Sequence, residues 1–341
     1  MRAIVQDEYG PPHVLSLGEV PLPTPGADQV LIRVHAAGVD YGVWHLMTGL
    51  PLVARLGFGL RRPRNRVPGM DVAGVVESVG AQVTAFHPGD EVYGEATGAY
   101  AQFALARPGK LARKPANLSF TEAAAVPVSG VTALRAVGRV TAGEKVLVIG
   151  AGGGVGSFAT QLAVAGGAHV TAVCSTAKAD LVRSLGARAV IDYTREPLTG
   201  TYDLIIDIAG LRPPALLRGL LTERGRLVLV GGEGGGRWFG GLGRLLAARL
   251  VNPLTRHRLD ALLALTRTAD LDALRDLIEA GAVRPAVGRT YSLAEAPTAV
   301  ADLAAGNAPG KLVITVDPGD PGGPGGPGGP GAPGTPPRGE S

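Results

Sequence analysis

Cysteine is almost absent from this chain, since Cys174 is the only one among 341 residues. A single thiol excludes an intrachain disulfide framework and a zinc site built from several thiolates. The six histidines lie without ligand spacing, and no Ser–His–Asp or Cys–His arrangement is supported. We therefore expect no bound metal and no nucleophilic hydrolase chemistry, and we expect Cys174 to be a packed, inert side chain of an apolar strand.

Aromatic residues are also few, at 4% of the chain, and the net charge is only +4. The basic residues are mostly arginine and are scattered along the sequence. Nucleic-acid-binding surfaces concentrate basic residues in stripes and offer aromatic rings for stacking. The composition therefore argues, weakly, against a nucleic-acid partner.

Long apolar runs are missing as well, because no stretch approaches the 18 or so residues of a membrane span. The N-terminal residues lack the pattern of a signal peptide, so we predict a cytoplasmic protein without stable membrane insertion. Segment 237–250 combines arginines with aromatics and leucines, which admits a membrane-surface helix. Its glycines at 240, 241 and 243 weaken a helix and favour a cleft lid or a subunit contact.

What is present suffices for a large core, with 45% hydrophobic residues and a length typical of two domains. Residues 318–341 are a Gly-X-Pro tract that predicts a disordered tail outside the fold. Residues 1–125 carry short β-type runs between prolines and glycines. From 126 the pattern becomes strands alternating with helices, and a strand returns near 312–316. The predicted fold class is α/β, with a Rossmann doubly wound parallel sheet plus a β-rich domain.

A glycine-rich segment, residues 150–156, follows the predicted strand Lys145–Ile149 directly and precedes a predicted helix. In this context glycines allow the backbone to approach a pyrophosphate, whose charge the N-terminus of the helix favours. We therefore predict a dinucleotide site at this turn.

The end of the next strand indicates which dinucleotide binds. An acidic residue there would bind the adenosine ribose, but the chain reads Val-Cys-Ser-Thr-Ala-Lys over residues 173–178. Ser175 and Lys178 suit a 2′-phosphate better than a bare ribose, and Tyr193 can close the pocket. The sequence therefore predicts NADPH as the cofactor, unless Lys178 only solvates its helix.

Several motifs in this order resemble the medium-chain dehydrogenase/reductase superfamily over nearly all of residues 1–317. The general motifs are Pro-Gly-Met-Asp-Val-Ala-Gly at 68–74, Ala-Ala-Ala-Val-Pro at 123–127 and Gly-Lys-Leu-Val-Ile at 310–314. Residues 43–49, 173–176 and 190–193 are similar to the zinc-free quinone oxidoreductase branch, and more narrowly to reticulon-4-interacting-protein-like reductases.

The resemblance implies a GroES-like domain at 1–125 completed by 285–317, a Rossmann domain at 126–284, and a cofactor between them. It assigns the pyrophosphate to Gly153, Gly154 and Val155, the adenosine phosphate to Ser175, Lys178 and Tyr193, and the nicotinamide surroundings to Gly231 and Gly232. Lys311 keeps its place in the family pattern, either as a cofactor contact or as a surface charge.

The zinc-dependent members of this superfamily carry a Gly-His-Glu motif, which here is Gly69-Met70-Asp71. Methionine is a poor zinc ligand, and no cysteine precedes it in the first domain. The resemblance therefore implies a zinc-independent enzyme in which a nicotinamide delivers a hydride to quinones or α,β-unsaturated carbonyls. Their reduced products are more stable anions than an alkoxide and need less help from the protein.

Polar groups that can assist this reduction follow the third predicted strand. His45 either donates a proton or hydrogen bond to the developing oxyanion or only lines the cleft. Asp40 would repel that charge and is expected to be structural, whereas Tyr41 supplies a wall for a ring or packs in the core. Two alternatives stay open: an enoyl-thioester reductase of polyketide or fatty-acyl type, and a non-catalytic NADPH-binding regulatory protein. Family resemblance also suggests a possible homodimer.

Overall fold

The computed structural model describes residues 1–230, 236–241, 243, 256–262, 264–306 and 308–317. The two predicted types of sheet are both present in this part of the chain. Among the described residues, no helix combines the length and the apolar character that crossing a membrane requires. The predicted nicotinamide residues Gly231 and Gly232 and the Gly-X-Pro tail fall outside the described residues.

The first sheet has seven strands drawn from both ends of the chain. Its central strand β3 is rich in Val, Ile and Ala and nearly continuously buried, which is typical of a strand covered on both faces. The last strand, β15, pairs antiparallel with β3, so both ends of the chain contribute to this sheet. Including the separate β1–β2 pair, the strands are β1 Arg2–Val5, β2 Ser16–Glu19, β3 Val30–Val39, β4 Asp71–Val79, β5 Glu91–Glu95, β6 Phe103–Ala106, β7 Leu111–Arg113, β14 Val287–Ser292 and β15 Lys311–Thr315.

The second sheet has six strands in the order β10-β9-β8-β11-β12-β13, with every neighbouring pair parallel. Strand order reverses between β8 and β11, and ligands of open α/β sheets bind at such a switch point. The fold class is therefore the predicted one. The strands are β8 Lys145–Ile149, β9 His169–Cys174, β10 Ala189–Asp192, β11 Tyr202–Asp207, β12 Leu221–Leu229 and β13 Arg258–Ala261.

Helices connect and cover these sheets. Two begin at sequence signals: Ser119 and Glu122 form a capping box for α3, and Pro127 opens α4. The described α-helices are α1 Tyr41–Thr48, α2 Arg55–Phe58, α3 Phe120–Ala124, α4 Pro127–Val137, α5 Gly154–Ala165, α6 Ala179–Ser184, α7 Pro214–Arg218, α8 Thr268–Glu279 and α9 Ala296–Ala305.

The two sheets meet next to the glycine turn. The Gly310 N–H, just before β15, donates to the Gly152 carbonyl oxygen at 2.9 Å, and Gly153 forms a bridge with Gly310. Gly310 has a φ of +69°, and a Cβ there would lie 2.2 Å from the Ala286 carbonyl oxygen. A glycine is therefore required where the first sheet contacts the glycine turn between β8 and α5.

Candidate dinucleotide site and the buried cluster beside it

The turn between β8 and α5 is tight enough to require glycine at two positions. Gly150 has a φ of +87°, and a Cβ on Gly156 would lie 2.2 Å from the Gly150 carbonyl oxygen. The Gly150 and Ala151 N–H groups both donate to the Val173 carbonyl oxygen at 3.1 Å, which holds the turn against β9. The sequence pattern Ala151-x-Gly153-x-x-Gly156 thus adopts a compact turn at the switch point.

The N-terminus of α5 offers unpaired donors at this turn. The first bond of the helix runs from the Ser157 N–H to the Gly153 carbonyl oxygen at 2.9 Å. The N–H groups of Gly154, Val155 and Gly156 precede that bond, so no helix carbonyl is available to them. A pyrophosphate fits this arrangement, because its oxygens accept hydrogen bonds and its charge matches the positive end of the helix dipole.

Lys178 lies directly beside the turn. A Cβ on Gly152 would lie 2.7 Å from the Cβ and Cδ atoms of Lys178, so the lysine stem packs across the glycine. Its Nζ donates to the Gly306 carbonyl oxygen at 2.6 Å, and burial lowers the pKa of this amine. The side chain is therefore a half-buried cation anchored next to the predicted phosphate site.

The other two predicted adenosine-side residues lie near this lysine in the chain but differ in exposure. Ser175 is partly buried, and its carbonyl oxygen accepts from the Lys178 N–H at 3.0 Å. Tyr193 is mostly exposed, and its N–H donates to the Cys174 carbonyl oxygen at 3.2 Å. Cys174 itself is buried, and burial raises the pKa of its thiol, as expected for an inert side chain.

One carboxylate near this site, that of Asp192, has no predicted role. Asp192, at the end of β10, accepts hydrogen bonds from the hydroxyls of Thr176 and Thr194, which lower its pKa. Arg195 lies 3.7 Å away and partly offsets its charge. Asp192 is thus a negatively charged side chain that hydrogen bonds connect to the segments after β9 and β10.

Lys311 is not a surface charge, because its side chain is only 3% exposed. A cofactor contact of this residue stays a prediction. Its Nζ donates to Asp71 Oδ2 at 2.7 Å and to Ser129 Oγ at 3.0 Å. Asp40 Oδ2 lies 3.9 Å from the same nitrogen and has no hydrogen-bond partner among the described residues. We call Asp40, Asp71, Ser129 and Lys311 the buried cluster.

The buried cluster touches the start of α5. A Cβ on Gly154 would lie 2.9 Å from Ser129 Oγ and 3.1 Å from Lys311 Cδ. Asp71 Oδ1 also accepts from the Val128 N–H at 2.8 Å, so this carboxylate caps α4. Burial raises the pKa of Asp71 to about 6, although the Lys311 ammonium opposes the shift. Two carboxylates and one ammonium therefore share a dry space next to the dinucleotide turn.

The predicted substrate-end residues lie at the start and in the body of α1. Asp40 is the N-cap, with its Oδ1 accepting from the Val43 N–H at 3.2 Å, as its expected structural role requires. The Tyr41 hydroxyl donates to the Leu303 carbonyl oxygen of α9 at 3.2 Å. His45 Nδ1 lies 2.8 Å from the Leu50 carbonyl oxygen. Because a carbonyl only accepts, Nδ1 carries a proton, and Nε2 can donate only when the ring carries a second proton.

The residues at the zinc position of related enzymes do not fit a zinc ion. Asp40 and Met70 both lie near Gly42, where a Cβ would be 2.7 Å from Asp40 Oδ1 and 3.0 Å from Met70 Sδ. The Lys311 ammonium lies close to the carboxylates of Asp40 and Asp71 and would repel a metal cation there. Within the described ranges, no group of three or more His, Cys, Asp or Glu side chains could hold a metal ion.

Comparison with known families assigns both halves of the chain. Residues 26–177 match the alcohol dehydrogenase GroES-like domain, and residues 185–314 match the zinc-binding dehydrogenase family. The chloroplastic quinone oxidoreductase QR1 of Triphysaria versicolor is 31% identical, over 92% of this chain and 98% of that protein. The mitochondrial NAD(P)H oxidoreductase RTN4IP1 of Mus musculus is 31% identical, over 93% and 89%. A chloroplastic NADPH-dependent alkenal/one oxidoreductase of Arabidopsis thaliana is 37% identical, over 68% and 63%.

Solved structures agree with this assignment. The quinone oxidoreductase from Coxiella burnetii superposes with a TM-score of 0.83 at 31% identity, covering 93% of this chain and 99% of that one. A mycobacterial protein solved in complex with NADPH gives a TM-score of 0.79 at 31% identity, covering 92% and 100%. The chain belongs to the medium-chain dehydrogenase/reductase superfamily. Within it, the chain belongs to the quinone oxidoreductase branch, and the predicted resemblance is confirmed. The protein is thus an oxidoreductase with a nicotinamide cofactor.

Proposed function

We propose that this protein is a zinc-independent reductase that uses NADPH to reduce quinones or α,β-unsaturated carbonyl compounds. The observation that carries the proposal is the pairing of the α5 N-terminus with the half-buried Lys178 amine, next to the glycine turn. The relatives named as quinone oxidoreductases and as an NADPH-dependent alkenal/one oxidoreductase support the acceptor class and the cofactor.

The residues that would hold the cofactor follow from the site. Gly153 is also predicted for the pyrophosphate, but its N–H donates to the Gly150 carbonyl oxygen at 3.3 Å. The N–H groups of Gly154, Val155 and Gly156 would therefore bind the pyrophosphate, and Lys178 with Ser175 would bind the adenosine 2′-phosphate. Tyr193 would close that end, and Gly231 and Gly232 stay a prediction for the nicotinamide end. When bound, NADPH supplies a hydride to an electrophilic carbon, and negative charge develops on the oxygen of the acceptor.

His45 is the group we propose to stabilise that oxygen. Its Nδ1–H is held by the Leu50 carbonyl, so in the protonated ring Nε2–H is the donor that remains. Asp40 keeps its structural position, and the Lys311 ammonium offsets its negative charge. A hydroquinone monoanion or an enolate needs only such a donor, whereas a simple alkoxide would need a stronger electrophile.

NADPH oxidation against a panel of acceptors tests the proposal. The panel contains a benzoquinone, a naphthoquinone, a linear enone, an enoyl thioester and a ketone, each with and without a metal chelator. We expect turnover with a quinone or the enone, unchanged by the chelator. Preference for the enoyl thioester would favour an enoyl reductase, and tight NADPH binding without any turnover would favour a regulatory protein; either result contradicts the proposal.

Two further parts of the proposal concern the whole protein. A cytoplasmic location is an expectation that cell fractionation tests, and the three relatives above are instead named for the chloroplast or the mitochondrion. A homodimer is an expectation from the family, and light scattering of the purified protein tests it.

A further inference from the structure

Two segments from different halves of the chain are joined near the substrate end. The Leu52 N–H donates to the Arg237 carbonyl oxygen at 2.8 Å, and the Val53 N–H donates to the Trp238 carbonyl oxygen at 3.2 Å. A Cβ on Gly240 would lie 3.2 Å from Pro51 Cβ, so the two segments also pack closely. The loop after α1 and the described residues 236–241 therefore form one continuous surface.

This surface exposes large apolar side chains. Leu56 is 69% exposed, Leu60 68%, Trp238 70% and Phe239 58%. These are four of the ten large hydrophobic residues that are exposed within the described part of the chain. Single exposed apolar residues are common, but a local group of this size usually marks an interaction surface.

The same surface is strongly cationic. Residues 49–67 contain five arginines and no acidic residue, although the whole chain is nearly balanced, with 33 basic and 29 acidic residues. Arg61, Arg62 and Arg64 are exposed and form no ion pair with any described residue, whereas Arg66 is paired with Asp7. Three exposed arginines thus follow the exposed side chains of Leu56 and Leu60 directly in the chain. We call Leu56, Leu60, Arg61, Arg62, Arg64, Trp238 and Phe239 the cationic apolar face.

We propose that the cationic apolar face docks on the surface of an anionic lipid bilayer. Leucine, tryptophan and phenylalanine side chains insert at the boundary between headgroups and acyl chains, and arginines bind the anionic headgroups. Charge complementarity favours this occupant over a second copy of the chain, because two copies of this face would bring unpaired arginines together.

The cationic apolar face lies next to the candidate substrate end. Leu50, which accepts the hydrogen bond from His45 Nδ1, lies two residues before Leu52, where the two segments join. A docked protein would therefore hold its candidate substrate end next to the bilayer. On the proposed function, the acceptor would be a quinone or enone dissolved in the membrane rather than in the aqueous phase.

Vesicle flotation of the full-length protein tests the docking without any activity measurement. The probes are vesicles of phosphatidylcholine alone and of phosphatidylcholine mixed with phosphatidylglycerol, each at low and high salt. We expect flotation with the anionic vesicles only, weakened by salt because screening reduces the headgroup attraction. Removing three arginines in Arg61→Gln/Arg62→Gln/Arg64→Gln should lower the partition coefficient at least about tenfold. Leu56→Ser/Leu60→Ser/Trp238→Ser should lower it by a similar factor.

Matched variants elsewhere on the surface serve as controls. Leu22→Ser/Leu216→Ser removes two other exposed leucines, and Arg139→Gln/Arg188→Gln removes two other exposed arginines. Both should float like the unmodified protein, and all variants should keep their thermal unfolding temperature and their turnover of a water-soluble acceptor. Absence of flotation with anionic vesicles would overturn the docking proposal, as would equal loss in the controls or a dimer that only the apolar triple variant dissociates. The proposed function would be unaffected, since its test uses soluble acceptors.

Discussion

Lys178 is the side chain on which cofactor preference should depend. It is the lysine packed across Gly152 beside the dinucleotide turn, and its amine is fixed by the Gly306 carbonyl. Lys178→Gln should raise the KM for NADPH about 10- to 100-fold, the value of a charge-assisted hydrogen bond, and leave the KM for NADH within about twofold. Lys110→Gln, at a lysine paired with Glu95, is the control. Equal losses with both nucleotides would mean that Lys178 only supports the loop.

His45 carries the prediction for proton or hydrogen-bond donation. His45→Phe should lower kcat with a quinone about 10- to 100-fold while the KM for NADPH stays unchanged, because the ring acts on the acceptor and not on the dinucleotide. If His45→Phe turns over normally from about pH 6 to about pH 8, His45 only lines the cleft.

Lys311 has a structural role that denaturation can measure. Lys311→Met leaves Asp40 and Asp71 buried without their cation, and should lower the free energy of unfolding by about 3–5 kcal/mol near pH 7.5. The folded pKa of Asp71 already lies above its ordinary value, at about 6, so the folded state gains stability as pH falls through that value. Removing the cation raises this pKa further, and the loss should therefore be smaller near pH 5.5.

Two variants make the Lys311 prediction specific. Lys311→Met/Asp71→Asn should regain part of the lost stability, because one buried charge is removed. Lys110→Met breaks a pair at the surface and should cost only about 0–1 kcal/mol. A Lys311→Met protein as stable as the unmodified one at both pH values would show that the buried cluster contributes little.

The sequence predicts the role of a residue when that role depends on a local pattern. It does not predict contacts between residues that are far apart in the chain. Lys178 is identified by its place after a strand that lacks a terminal acid. Asp71 and Ser129 are 240 and 182 residues from Lys311, and no local pattern connects them. For the same reason the sequence left Lys311 as either a cofactor contact or a surface charge, whereas the fold buries it in an ion pair.

At the scale of elements, a single glycine-to-alanine substitution tests whether the turn between β8 and α5 binds the cofactor. Gly156→Ala would place a Cβ 2.2 Å from the Gly150 carbonyl oxygen, so the turn must open and the α5 donors must move. We expect NADPH to stop raising the unfolding temperature of this variant. Gly109→Ala has open space around its Cβ and should retain the full cofactor response. A normal response in Gly156→Ala would place the cofactor elsewhere.

Periodicity predicted most of these elements closely. The expected strand at 145–149 is β8 to the residue, and the helix expected after the glycine-rich segment is α5, which begins at Gly154. Strand β13 and helix α1 were not anticipated as elements. Only four residues of β13 pair with β12, and α1 is defined by its Asp40 cap and the left-handed Gly49 more than by an apolar stripe. Tertiary contacts and caps, rather than periodicity, determine such short elements.

At the scale of the whole molecule, a single polypeptide builds two sheets that meet where Gly310 bonds Gly152. The order of sequence patterns was sufficient to predict the fold class, because a β-rich half, an alternating half and a returning strand allow few topologies. The juxtaposition of the loop after α1 with residues 236–241 was not predictable, since both segments are irregular. The cationic apolar face therefore depends on a contact between segments that are far apart in the chain.

The central claim is that this chain uses NADPH to reduce an acceptor without a metal ion. Single-turnover reaction of chelator-treated protein with NADPH deuterated at the transferred position tests it most directly, with a quinone or an enone as acceptor. We expect oxidation at the same rate before and after chelation, with a primary isotope effect on that rate. For the enone, we also expect deuterium on carbon in the product. Loss of the reaction on chelation with recovery on adding zinc, or no oxidation with any acceptor, would contradict this claim.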